Sequence, residues 1–170
     1  VRHAVWIALG WLGVTFWTSL AARLSFGHLV PDAAVVTVVF LALRREPVVV
    51  TATALAIGYL VGRQALAPVG LHEVALVGCA VIAYLASGHI AGSGPAFLAV
   101  ASAMGLVAYH VLLYLLLSLG RDQVGFSSWA TAMLLPNAVI TGVLAFVSYP
   151  GLAALERKLT PETHEGLAWR

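Results

Sequence analysis

The chain has 170 residues, of which 61% are hydrophobic and only 9% charged. Soluble domains are roughly 25% charged, so a mean hydropathy of +0.97 excludes a soluble domain and a disordered chain alike. A formal charge of +2 is too small to hold a nucleic acid, and one cysteine excludes a disulfide framework or a thiolate zinc site. What remains is an all-α, polytopic membrane helix bundle.

A hydrocarbon core about 30 Å thick takes about 20 apolar residues of helix, so about six transmembrane helices use about 120 residues. Span 1 is expected from Ala4 to Ala22. Its aromatic residues Trp6, Trp11, Phe16 and Trp17, with Arg23 behind them, distinguish it from a cleaved signal peptide. Span 2, Leu29 to Leu43, is only about 22 Å long at 1.5 Å per residue. Its crossing requires Phe26 to His28 and snorkelling by Arg44 and Arg45. Pro31 and Asp32 suit its first turn, the proline because a missing N–H is no loss there, the carboxylate because of the helix dipole.

Span 3 is expected over Val48 to Leu66, span 4 over Leu71 to His89 and span 5 over Pro95 to Leu119. Span 6 runs from Trp129 to Tyr149 and is interrupted by Pro136 and Asn137, the proline removing the bond to the Ala132 carbonyl. Together these make one transmembrane domain over 1–155, with residues 156–170 as a short polar cytoplasmic tail. With the N-terminus inside, cytoplasmic segments hold Arg2, Arg44, Arg45, Arg157, Lys158 and Arg170, against Arg23, Arg63 and Arg121 outside. That balance puts both termini in the cytoplasm.

Lipid is as apolar as leucine, so close approach between small residues holds such helices together. Span 3 carries Ala54, Gly58 and Gly62 at four-residue spacing, and span 1 has Gly10 and Gly13 between Trp6 and Trp17. These five residues serve either internal packing or, as the sharper hypothesis, an interface for a partner helix. Cys79, in the stripe Ala75, Cys79, Ala83 and Ser87, reads as a small packing residue.

No sequence motif for nucleotide, metal or acyl chemistry is present. A catalytic site, a cofactor and a metal are therefore not expected. Six histidines are present, but only His110 falls deep in a span. It lies one turn from Tyr114. With Asn137 these form an intramembrane polar group, either a satisfied structural set or a ligand site.

The order of several short motifs carries a resemblance. Pro31-Asp32 is followed by Phe40-Leu41-Ala42-Leu43-Arg44-Arg45, by Gly58-Tyr59-Leu60-Val61-Gly62 and by the turn Pro68-Val69-Gly70-Leu71-His72. This order resembles the MreD family of bacterial rod-shape-determining membrane proteins, over about a quarter of the chain. Many members carry an acid about one turn after the second glycine. Here Arg63 and Gln64 follow Gly62 in a shorter loop, so no role of that acid carries over.

The resemblance implies a non-enzymatic scaffold of the rod-shape, or cell-elongation, complex in the bacterial inner membrane. It would bind MreC and connect indirectly to MreB, to RodA and to RodA's class B penicillin-binding partner, helping to regulate peptidoglycan synthesis for the cell wall. Membrane lipids and a homo-oligomeric copy complete the expected partners; nucleic acid is not among them. The family is similar in fold to the substrate-binding subunits of energy-coupling-factor transporters, so a small-molecule (vitamin-type) binding subunit is the alternative.

Overall fold

In lipid a backbone has no water to bond with, so apolar runs close their hydrogen bonds within themselves as helices. The computed structural model describes residues 2–24, 30–87, 94–119 and 134–159. Among the described residues lie six helices: α1 (Arg2–Leu24), α2 (Ala33–Ala42), α3 (Pro47–Gln64), α4 (Leu71–Ser87), α5 (Pro95–Ser118) and α6 (Leu135–Leu159). Among the described residues three are long and apolar enough to cross a membrane: α1 through His3–Leu20, α5 and α6. The all-helical bundle stands as expected; among the described residues α2 and α4 are shorter apolar helices.

The shortest of these helices is α2, and Phe26 to His28, expected to extend its span, lie outside the described residues. Ten residues at 1.5 Å each rise about 15 Å, half of a hydrocarbon core. Residues Ala34 to Ala42 are all buried, and the helix packs against all five others. A helix apolar on every side belongs in an interior, and this one forms the axis of the bundle. Its one polar side chain, Thr37, returns its hydroxyl to the Ala33 carbonyl at 2.8 Å. Trp6 of α1, almost fully buried, lies over Phe40 with ring centroids 5.6 Å apart.

Contacts between helices set their directions. Gly10 meets Ile57 and Thr15 meets Gln64, so α1 and α3 run the same way. Asp32 meets Thr141 and Arg44 meets Glu156, so α2 and α6 run together in the opposite sense to α1. His72 meets Tyr109 while Cys79 meets Gly105, which makes α4 and α5 antiparallel. The directions alternate along the chain. The start of α1 and the end of α6 therefore lie at the same end of the bundle.

At that end α2 is tied to α6. Arg44 donates to Glu156 Oε2 at 2.8 Å and to the Tyr149 hydroxyl at 2.9 Å, and its guanidinium covers the Phe40 and Tyr149 rings. Arg45 reaches Glu156 Oε1 at 3.1 Å. The boundary expected at residue 156 thus falls inside α6, which continues past Tyr149 to Leu159. Pro150 is the proline inside this helix, leaving the Phe146 carbonyl without its usual donor. Pro136 is the second residue of α6, and Ala132 lies outside the described residues.

Candidate functional site

The small residues proposed for a partner helix turn inward. A Cβ on Gly10 would meet Ile57 at 2.6 Å, and one on Gly13 would meet the Ala33 Cβ at 2.6 Å. At Gly58 it would strike the Glu73 backbone at 2.6 Å, and at Gly62 it would touch His72 at 3.5 Å. Ala54 is fully buried. These contacts are those of the internal-packing alternative: Gly13 lies at the α1–α2 crossing, Gly10 at α1–α3, and Gly58 and Gly62 at α3–α4.

The motif turn Pro68 to His72 joins α3 to α4. Gly70 has φ +95°, a conformation that suits glycine. The Glu73 carboxylate folds back to accept from the Gly70 amide at 3.0 Å, while Arg63 is exposed. Leu71 starts α4. His72 faces into the bundle, its Nδ1 hydrogen-bonded to the Tyr109 hydroxyl of α5. A histidine read from the sequence as a turn residue is therefore part of the interior polar set.

That set centres on the approach to α2. Residues 30–32 are not helical, and irregular backbone inside a membrane bundle has to find partners in protein or line a cavity. Here α6 supplies them. The Val30 amide donates to Asn137 Oδ1 at 3.1 Å, and the Asp32 amide donates to the Thr141 hydroxyl at 3.0 Å. Asp32 then caps α2, its Oδ1 accepting from the Ala34 and Val35 amides at 2.9 and 3.0 Å.

Beside this segment lies a cavity of about 200 Å³, lined by Thr18 of α1, Asp32, His110 of α5 and Asn137 of α6 among others. The His110 Nδ1 donates to the Leu106 carbonyl at 3.0 Å, and Tyr109 stands edge-on to its ring. Of the three polar residues singled out in the sequence, His110 and Asn137 meet at this cavity and Tyr114 does not line it. Asp32 was placed at a helix start but not at a site. The available signal was that α2 is apolar on every face, because a fully enclosed helix buries its cap as well.

A second hollow of about 340 Å³ adjoins the first at Gly13–Val14 and Asp32–Ala33. It is an open apolar groove between α1 and α6 with α2 as its floor, lined by Leu9, Trp17, Val36, Val147 and Gly151 among others. A Cβ on Gly151 would touch nothing within 4 Å. The cleft as a whole offers an apolar flank for a helix or a chain and a polar end at mid-bundle. Among the described residues no three His, Cys, Asp or Glu side chains converge, and the Cys79 thiol is buried and donates to the Gly105 carbonyl.

No family model matches the chain, and neither a curated protein nor a solved structure does.

Proposed function

We propose that the chain is a non-catalytic membrane scaffold of the MreD type. It would sit in the bacterial cytoplasmic membrane with both termini inside, bind MreC and act through it on the cell-elongation machinery. The motif order from Pro31 to His72 supports the family. The α1–α6 groove, an open surface floored by the central helix, carries the scaffold reading. A transmembrane helix packs best where small residues let backbones approach, and Gly151 supplies such a site.

The test is Gly151→Leu, which puts a side chain into the groove from a position where a Cβ meets nothing within 4 Å. Co-purification with the MreC protein of the same genome should be lost while the melting temperature of the isolated chain is unchanged. Retained co-purification by the folded variant would remove the groove from the binding surface.

A vitamin-binding transporter subunit is the second reading, favoured by the polar cavity alone. Its volume of about 200 Å³ falls below the roughly 300–1,000 Å³ of sites for drug-sized ligands. That size argues for a smaller guest.

A further inference from the structure

Helices α1 and α6 both pack on α2 but scarcely touch each other. The cleft this leaves is the open apolar groove, with Gly13 of α1 and Gly151 of α6 on its walls and Val36 of α2 on its floor. On the α1 wall the groove begins at Leu9, and Arg2 precedes Leu9 by two helical turns. On the α6 wall Lys158 follows Gly151 by the same two turns, which returns it to the same face of the helix. Both walls thus lead to a basic residue at the end of the bundle where α1 starts and α6 finishes, about 10 Å beyond the groove at 1.5 Å per residue.

The floor ends there too, in Arg44 and Arg45 just after α2. One carboxylate, that of Glu156, answers both guanidinium groups. Arg157 and Lys158 are exposed and, among the described residues, have no ion-pair partner. Glu46, ahead of α3, is the other acid at this end, so a positive excess remains. A positive rim above an apolar cleft is complementary to a ligand with an anionic head and a hydrocarbon tail. The depth agrees as well. From residue 2 to residue 13 α1 rises about 16 Å, and one leaflet is about 15 Å of hydrocarbon, half of a core about 30 Å thick. A chain hung from a headgroup at the basic rim therefore passes Leu9 and reaches the level of Gly13.

We propose that the α1–α6 groove, while no partner helix fills it, binds an acyl chain of an anionic phospholipid whose phosphate sits at the basic rim beside Arg157 and Lys158. The site belongs to the chain on its own and does not rest on the scaffold reading.

The experiment uses the full chain alone, purified in detergent at constant ionic strength. Dioleoylphosphatidylglycerol or dioleoylphosphatidylcholine is added stepwise to the micelles while thermal unfolding is followed, and glycerol 3-phosphate supplies the head without the chain. A ligand of the folded state raises the melting temperature with the logarithm of its concentration above Kd. Phosphatidylglycerol should raise it well beyond phosphatidylcholine, and glycerol 3-phosphate should leave it unchanged. Arg157→Gln with Lys158→Gln removes the exposed charges, while Gly151→Leu obstructs the groove. Each variant should lose the difference between the two lipids. Equal rises with both lipids overturn the proposal, as does a rise with glycerol 3-phosphate that matches the anionic lipid. An undiminished difference in either folded variant overturns it too. Co-purification with a partner is read separately, so failure here leaves the scaffold reading standing.

Discussion

Thr141 is fully buried, and its hydroxyl oxygen accepts from the Asp32 amide, the last backbone donor before α2 begins. Valine has nearly the same shape but no acceptor, so Thr141→Val strands a donor inside the bundle. Interhelical hydrogen bonds in membranes average below 1 kcal/mol, while an orphaned buried donor costs about 1–3 kcal/mol. Thr141→Val should therefore destabilise the protein by about 1–2 kcal/mol, read from unfolding in detergent. Thr37→Val, which removes only a bond from α2 to its own Ala33 carbonyl, should cost less. Equal losses would mean that the tether to α6 contributes nothing special.

The helices pack through glycine, and the glycines divide into two kinds. Gly58 has the Glu73 backbone against it, which cannot rotate aside as a side chain can, whereas Gly151 faces the open groove. Overpacking typically costs about 1–3 kcal/mol. Gly58→Ala should fall in that range, and Gly151→Ala should change stability by less than about 0.5 kcal/mol. Thermal unfolding of the two variants side by side checks the contrast. A destabilised Gly151→Ala would show the groove to be closed in the folded protein.

Across the whole molecule, alternating helix directions bring the start of α1 and the end of α6 to one end, beside Arg44, Arg45, Arg157 and Lys158. Basic residues stay on the cytoplasmic side. Reporter enzymes fused to the two termini should both therefore be active only in the cytoplasm. Reporters on opposite sides would break the proposed topology. The same end holds the Glu156 carboxylate between two arginines, so fewer free charges face the lipid there than a count of basic residues gives.

Much of this was legible in the residues. An apolar excess with few charges leaves helices as the viable solution to backbone bonding in lipid, and Pro47, Gly70 and Pro95 mark helix starts and turns by local sterics alone. Local chemistry also placed Asp32 at the head of α2. Which faces meet is a different kind of fact, since a stripe such as Ala54, Gly58 and Gly62 fits an internal neighbour and a foreign helix equally well. Only the assembled bundle shows Ala54 buried and Gly58 and Gly62 set against α4, and only it draws Asp32, His110 and Asn137, spread over more than a hundred positions, around one cavity. Periodicity reports how a helix is painted; its partners follow from the packing of all six at once.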